Sequence, residues 1–175
     1  MKKNIPYSTQ TISKTDIESV IKVLKSDFLT QGPKVKEFEK VLSKRVKAKY
    51  AVAFNSATSA LHASCLALSL KKNEILWTVP NTFVASANCS LLAGGKVDFV
   101  DIDPKTYNIN ISLLEEKLKF FKNKKKLPKI VVPVHFAGNP VEQDKIWKLS
   151  QKYNFKILED ASHSLGANYK GEPVG

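Results

Sequence analysis

The sequence predicts an α/β protein built around a mostly parallel sheet. Short segments rich in apolar residues alternate regularly with longer helical patterns from residue 50 onward, as strands and helices do in such sheets. The first of them, residues 50–54, is continuously apolar, as expected of a strand that is covered on both faces. With 175 residues, 43% of them hydrophobic and 25% charged, the chain has the size and composition of one ordinary domain.

Two helices are predicted ahead of this alternating part. Ser13 and Asp16 have the spacing of a capping box, and apolar residues recur on one helical face from Ile17 onward. A second helix is expected from Pro33, because proline suits the first turn of a helix. We therefore expect residues 1–49 to form an N-terminal helical segment.

The alternating part supplies the predicted sheet and its covering helices. Strands are predicted at residues 50–54, 74–78, 96–100, 130–135 and 155–159. Helices are predicted at residues 58–70, 82–93, 112–122 and 142–153. The third of these helices starts with a second capping-box spacing, Ser112 and Glu115. Because no internal repeat or linker interrupts the pattern, it favours one domain.

Composition and charge narrow the classes of partner. No apolar run approaches the roughly 20 residues of a membrane-spanning helix, and the basic start at Lys2 is not followed by a signal-peptide core. A cytoplasmic location is therefore expected. The net charge of +12 would suit nucleic acid, but Arg45 is the only arginine, and base recognition favours the guanidinium group. We expect neither a nucleic-acid nor a membrane partner.

The two cysteines give no sign of a metal site. Cys65 and Cys89 each lie in an apolar helical pattern, away from any cluster of Cys and His residues. Their spacing indicates neither zinc ligation nor a disulfide framework. We expect two small buried thiols and no bound metal.

Polar residues follow the predicted strands, where ligands collect in parallel sheets. Residues 55–59 lie between a strand and a helix, and Thr58 and Ser59 offer hydroxyls beside the free N–H groups of a helix N-terminus. A phosphate can bind at such a place. The alternative is that these residues only cap the helix.

Two further strand ends complete a candidate site. Asp160 follows an apolar strand, where a carboxylate needs several donors or a cation such as a protonated ring nitrogen; alternatively, it caps a local turn. His163 can donate to a ligand oxygen or simply pack. Phe83 can cover a flat ring or belong to the core. Together the strand ends predict a site for a flat, phosphorylated, cationic ring.

Five motifs in this order resemble those of a known family. They are residues 29–33 (LTQGP), 55–62 (NSATSALH), 80–88 (PNTFVASAN), 99–103 (FVDID) and 159–163 (EDASH). On these motifs, residues 7–175 resemble the DegT/DnrJ/EryC1/StrS family of nucleotide-sugar aminotransferases, which depend on pyridoxal 5'-phosphate (PLP). The resemblance implies the large domain of PLP-transferase fold type I, a three-layer α/β/α arrangement like that of aspartate aminotransferase.

The resemblance also implies roles for five residues at the cofactor. Thr58 and Ser59 would hold the cofactor phosphate, and Phe83 would stack on the pyridine ring. Asp160 would pair with the ring nitrogen and keep it protonated, which lets PLP act as an electron sink. His163 falls where relatives place a residue near the ring hydroxyl.

The family also suggests the substrate and its pocket. Segments bordering the sugar-nucleotide pocket of relatives align with Tyr7, Asp27, Phe28, Leu29, Thr30 and Ala57. Within the family, the nearer resemblance is to transaminases of pseudaminic acid biosynthesis. This implies transfer of an amino group from glutamate to the C4 keto group of a UDP-linked 4-keto-6-deoxy-N-acetyl-hexose. Relatives are homodimers.

The resemblance places one essential residue outside the sequence. The Schiff-base lysine of the family lies in a Ser-Phe-His-x-x-Lys pattern, which is expected beyond Gly175. Residues 50–175 would then be a partial large domain, without the C-terminal small domain. Lys170 lies too soon after Asp160 and in a turn-like context, so we expect it at the surface.

Three hypotheses remain open at this point. The leading one is a truncated aminotransferase that lacks its catalytic lysine. The second is a noncatalytic module that binds a sugar nucleotide or PLP. The third is a related PLP-dependent sugar dehydratase, in which histidine replaces the lysine.

Overall fold

The computed structural model describes residues 9–124 and 126–175. Tyr7 lies outside the described residues. The helices are α1 (Lys14–Leu24), α2 (Pro33–Arg45), α3 (Ala57–Ala67), α4 (Ala85–Leu92), α5 (Ile111–Asn123) and α6 (Gln143–Tyr153). The strands are β1 (Ile75–Thr78), β2 (Lys96–Phe99), β3 (Ile130–Val131), β4 (Lys156–Ile157), β5 (Asn168–Tyr169) and β6 (Glu172–Pro173).

Strands β1 to β4 form one parallel sheet in the order β2-β1-β3-β4. Leu76 is in register with Val97 on one side and with Ile130 on the other. Helices α4, α5 and α6 connect successive strands. The order of the strands therefore reverses direction between β1 and β3. Strands β5 and β6 form a separate antiparallel hairpin.

The core lies on both faces of the sheet. Leu76 is fully buried in a cluster with Leu61 of α3 and other residues of α3 and α4. Its neighbour Trp77 is fully buried in a second cluster, with Leu118 of α5 and Ile146 of α6. Because adjacent strand residues point to opposite faces, this alternation defines three layers, and the predicted α/β/α arrangement is confirmed.

Several local predictions are also confirmed. Ser13 and Asp16 form the expected capping box, in which the Ser13 N–H donates to Asp16 Oδ2 at 2.7 Å and the Asp16 N–H donates to Ser13 Oγ at 3.2 Å. Pro33 begins α2. Cys65 and Cys89 are both free and buried, in the cluster beneath α3 and α4.

The predicted strand at residues 50–54 is wrong. The segment lies outside the sheet, with the side chains of Tyr50 and Val52 75% and 69% exposed. The N–H of Ala53 donates to a side chain, Glu39 Oε1, at 2.8 Å. An apolar run indicates a tendency toward burial, but a strand also needs a neighbouring strand. Among the described residues, no strand pairs with this segment.

Several boundaries also differ from the prediction: α3 ends at Ala67, α4 begins at Ala85, and β4 covers only Lys156–Ile157. Helix α5 is capped by Asn110, whose Oδ1 accepts the N–H of Leu113 at 3.1 Å, so the capping box predicted at Ser112 does not form. Strand β3 covers only the start of the expected 130–135 range. Pro133 lacks the N–H needed to continue its ladder, and pairing resumes only as an isolated bridge between Val134 and Asp160.

Helices α1 and α2 contribute nothing to the core. Neither contains a buried residue, and apolar side chains such as Ile17, Leu24 and Phe38 are exposed. Within residues 9–124 and 126–175, no helix has both the length and the apolar character needed to cross a bilayer.

Candidate functional site

A cleft of about 720 Å³ opens at the carboxyl ends of the sheet strands. It lies where the winding of the sheet reverses between β1 and β3, which is the usual ligand position in open parallel sheets. Its lining comes from five chain segments: Ala57, Thr58 and Leu61; Pro80 to Phe83; Ala85; Val134 to Ala137; and Asp160, Ser162 and His163.

The N-terminus of α3 forms one end of the cleft. Ser56 is its N-cap, and the Ser56 Oγ accepts the N–H of Ser59 at 3.2 Å. In the described part of the chain, the N–H groups of Ala57 and Thr58 have no acceptor, and both residues line the cleft. Free N–H groups at a helix N-terminus attract anions. This end of the cleft therefore suits a phosphate.

Ser59 occupies a different position from the expected one. It does not line the cleft, and its Oγ lies 3.0 Å from Ser56 Oγ. Its hydroxyl therefore belongs to the capping network of α3 in this structure. Direct contact of Ser59 with a phosphate remains a prediction.

Phe83 lies on the cleft wall, in the turn that precedes α4. Its side chain is 73% exposed, so Phe83 is not a core residue. A large aromatic surface beside an anion site provides an apolar face for a flat ring.

Asp160 is the buried charge of the cleft, only 7% exposed. Its backbone is fixed at the end of the sheet, because its N–H donates to the carbonyl of Pro133 at 3.0 Å and its carbonyl accepts the N–H of His135 at 3.1 Å. Its Oδ2 accepts a hydrogen bond from Ser86 Oγ at 2.6 Å, and Oδ1 accepts one from Ser162 Oγ at 2.7 Å. The bond from the Ser162 N–H, at 3.3 Å, is the local turn cap. The carboxylate thus has both roles considered from the sequence, a turn cap and a cleft residue.

His163 lies on the cleft surface and is exposed. The loop that carries it packs closely against Gly138, which has a φ of +83°. A Cβ on Gly138 would lie 2.9 Å from the carbonyl oxygen of His163. Glycine is therefore required at 138 both for the backbone conformation and for this contact.

His135 is a cleft residue that the sequence interpretation missed. It is 1% exposed, and its Nδ1 accepts the N–H of Val141 at 3.1 Å. In neutral His135 the proton is therefore on Nε2, which lies 3.0 Å from Glu159 Oε2. Its position after an apolar strand is the same signal that identified Asp160.

Glu159 is held ionised by its neighbours. Burial alone would raise the pKa of this carboxyl, but the hydrogen bond from His135, the charge of that ring when it is protonated, and a bond from Gln143 at 2.8 Å together outweigh burial. The pKa of Glu159 therefore lies below its usual range.

The structure does not bring every expected residue to the cleft. Asp27, Phe28, Leu29 and Thr30 lie in the connection between α1 and α2 and are not among the lining residues. Lys170 also lies elsewhere: its Nζ is 2.9 Å from Asp144 Oδ2, and its side chain is 66% exposed. The expected surface position of Lys170 is confirmed, whereas the role of residues 27–30 remains a prediction.

Residues 10–175 match the sequence model of the DegT/DnrJ/EryC1/StrS aminotransferase family. The chain belongs to this family. It is 47% identical, over 171 residues, to the UDP-4-amino-4,6-dideoxy-N-acetyl-beta-L-altrosamine transaminase of Campylobacter jejuni, an alignment that covers 98% of this chain and 44% of the relative.

Solved structures of aminotransferases share the fold. PseC of Helicobacter pylori, an aminotransferase involved in the biosynthesis of pseudoaminic acid, is 35% identical with a TM-score of 0.86, over 99% of this chain and 45% of that one. A putative sugar aminotransferase of Streptococcus pneumoniae in its PLP form is 29% identical with a TM-score of 0.87, over 99% and 46%. The expected family and fold type are confirmed.

The comparisons also bear on cofactor and chain length. The Streptococcus pneumoniae protein has been solved both as a PLP form and as a PMP form, with pyridoxamine phosphate. The expected cofactor is thus confirmed at the level of the family. The chain spans less than half the length of the curated relatives it matches, 44% for the Campylobacter jejuni transaminase.

Proposed function

We propose that this chain forms the cofactor-holding part of a PLP-dependent sugar-nucleotide transaminase. The observation that carries the proposal is the buried carboxylate of Asp160 in one cleft with the free N-terminus of α3 and the exposed ring of Phe83. A buried carboxylate, an anion site and an apolar wall are the features that a phosphorylated pyridine requires.

The cleft residues fit the cofactor in a consistent way. The N–H groups of Ala57 and Thr58, with the Thr58 hydroxyl, would hold the phosphate, and Ser59 would support that end of α3. Phe83 would cover the ring. Asp160 would hold a proton at the ring nitrogen, and His163 would bind near the ring hydroxyl.

Some of these residues would bind the cofactor, and others would also influence its electronic properties. When bound, PLP supplies an electron sink for chemistry at the carbon that carries the amino group. Asp160 contributes by keeping a positive charge at the ring nitrogen, because a buried carboxylate favours a nearby cation. Phe83 would exclude water from one face of the ring, which strengthens the charge pair.

The proposed reaction follows the relatives. Glutamate would give its amino group to the C4 keto group of a UDP-linked 4-keto-6-deoxy-N-acetyl-hexose, a reaction of pseudaminic acid biosynthesis. The transaminase activity named for the Campylobacter jejuni relative and the involvement of PseC in pseudoaminic acid biosynthesis support this choice. Tyr7, the Asp27–Thr30 connection and Ala57 would border the sugar nucleotide. A homodimer and a cytoplasmic location remain part of the proposal.

We further propose that the Schiff-base lysine is supplied from outside these 175 residues. The support is that Lys170 is bonded to Asp144 and does not line the cleft. The chain alone is then expected to hold the cofactor without catalysing transamination.

Two assays test this function. The native reading frame should be sequenced past codon 175 and its product assayed for glutamate-dependent amination of the UDP-linked keto sugar. We expect a downstream Ser-Phe-His-x-x-Lys and turnover by that product, with none by the 175-residue chain. Turnover by the short chain would contradict the lysine assignment. Histidine in place of the lysine, with dehydration of the sugar, would favour the dehydratase.

A further inference from the structure

A buried serine contacts the buried carboxylate of the cleft from a helix distant in sequence. Ser86 lies in the first turn of α4, is fully buried, and donates from Oγ to Asp160 Oδ2 at 2.6 Å. Ser86 does not line the cleft, so its contribution to a ligand would pass through Asp160.

The direction of this hydrogen bond follows from proton counting. An ionised carboxylate only accepts, so the single proton of Ser86 lies between Ser86 Oγ and Asp160 Oδ2. The alternative acceptor, the carbonyl of Phe83, is more distant at 3.2 Å and uncharged. Thr82 Oγ1, 2.8 Å from Ser86 Oγ, must then donate to Ser86. The result is a directed chain from Thr82 through Ser86 to Asp160, in which each bond polarises the next.

Both oxygens of Asp160 are anchored, but by different kinds of support. Oδ1 is bonded to Ser162, which is exposed and lies in the turn directly after Asp160. Oδ2 is bonded to Ser86, which is fully buried in a helix that packs against α3. A buried donor on a packed helix has less freedom than an exposed one in a turn. Ser86 therefore fixes the plane of the carboxylate.

We propose that Ser86 is a positioning residue, which orients the Asp160 carboxylate so that the remaining lone pair of Oδ2 meets the ring nitrogen of the cofactor. The inference rests on the proposed function, because Asp160 must be the partner of the ring. An ionised carboxylate has about four acceptor sites, two on each oxygen. Ser162 occupies both sites of Oδ1 with its N–H and its hydroxyl, and Ser86 occupies one site of Oδ2. Oδ2 therefore retains one site for a donor from the cleft.

The test is a double-mutant cycle with PMP as the probe, read out as its dissociation constant for the purified 175-residue chain. PMP has an amine in place of the aldehyde of PLP, so it does not react with surface lysines. The variants are Ser86→Ala, Asp160→Asn and the double variant. We expect Ser86→Ala to weaken binding about tenfold, the scale of one hydrogen bond to a charged group, and to have no further effect when Asp160 is already Asn.

A matched control removes the effects of lost packing. Ser90 lies one turn further along α4, is equally buried, and donates to the carbonyl of Lys96 at 2.6 Å, outside the cleft. Ser90→Ala should lower stability much as Ser86→Ala does but leave PMP affinity unchanged. Ser86→Cys keeps the shape with a weaker donor and should give an intermediate affinity.

The outcomes separate the two claims. If Asp160→Asn weakens PMP binding and Ser86→Ala does not, the positioning role is overturned and the proposed function stands. Equal losses from Ser86→Ala in both backgrounds would also overturn it, since Ser86 would then act independently of Asp160. A loss with Ser90→Ala as large as with Ser86→Ala would reduce the effect to general destabilisation. If binding does not depend on Asp160, both claims fail.

Discussion

The Nε2 atom of His135 lies 3.0 Å from Oε2 of Glu159, and this bond joins the chain after β3 to the chain after β4 directly beside Asp160. The other ring nitrogen of His135 accepts the N–H of Val141. The imidazole is therefore bonded at both nitrogens, and the backbone that carries Asp160 is held from two sides.

The ionised state of Glu159 should make stability depend on pH. Although burial opposes the charge, His135 and Gln143 lower its pKa below the ordinary 4.5. A carboxyl with a lowered folded-state pKa stabilises the fold fully above its unfolded value, and this stabilisation is lost as the pH falls through the folded value. We expect urea unfolding between about pH 6 and pH 3 to show a steeper loss for wild type than for Glu159→Gln.

The control for this experiment is Glu116→Gln, which removes an exposed carboxylate from α5. It should retain the wild-type pH dependence. If Glu159→Gln and Glu116→Gln show the same slope as wild type, the ionic role assigned to Glu159 is incorrect.

Replacing Gly138 should disturb the loop that carries His163. Gly138 and Gly94 have nearly the same φ, +83° and +82°, but of the two only Gly138 would place a Cβ against another chain segment. We expect Gly94→Ala to lower the free energy of unfolding by about 1 kcal/mol and Gly138→Ala by about 2 kcal/mol or more. Thermal or urea unfolding measures both.

The same pair of variants also tests the site. PMP affinity should fall for Gly138→Ala, because the His163 loop must shift, and stay unchanged for Gly94→Ala. Equal stability and equal affinity in the two variants would show that the close contact with His163 has no consequence.

The sheet and its covering helices were largely predictable from the sequence because their signals are local. The strand predicted at residues 74–78 corresponds to β1, and the helix predicted at 142–153 corresponds to α6. The segment 50–54 is more apolar still, but it pairs with no strand among the described residues. Pairing is a nonlocal property, so composition alone could not reveal this difference.

The site was predictable where its residues follow strand ends, as Phe83 and Asp160 do. Thr58 was found through the helix start that follows residues 50–54, although these residues do not form a strand. The partners of Asp160 were not. Ser86 lies 74 residues away in the chain, and a serine inside a helix has no sequence signal that distinguishes a buried donor from an exposed one. In the structure His135 follows a strand end, as Asp160 does. It was missed because the predicted strand ran from residue 130 to residue 135 and so included it.

Helices α1 and α2 should be the least protected helices of the chain. They bury no residue, whereas α3, which has the same length as α1, buries Leu61 and Cys65. Isolated helices of about 11 residues are marginal in water. We expect hydrogen exchange of amides in α1 and α2 to be faster than in α3 by orders of magnitude. Comparable protection in α1 and α3 would contradict their unpacked state.

The hairpin of β5 and β6 should be linked to α6 through Asp144. The hydroxyl of Tyr169 donates to Asp144 Oδ1, and with Lys170 it lowers the pKa of Asp144 to about 2. A carboxyl resonance titrated by NMR should therefore have its midpoint at about pH 2. Because the bond from Tyr169 is the larger cause, Tyr169→Phe should raise the midpoint more than Lys170→Met does. The reverse order would contradict the assigned contacts.

Binding of a phosphorylated pyridine through Asp160 is the central property proposed for the cleft. Calorimetric titration of PMP into the folded 175-residue chain and into Asp160→Asn measures this, with Asp144→Asn as a carboxylate control outside the cleft. We expect wild type and Asp144→Asn to bind alike and Asp160→Asn to bind at least about tenfold more weakly, since a charge-assisted hydrogen bond is lost. Absence of binding, or equal affinity of wild type and Asp160→Asn, would contradict the proposed cofactor site.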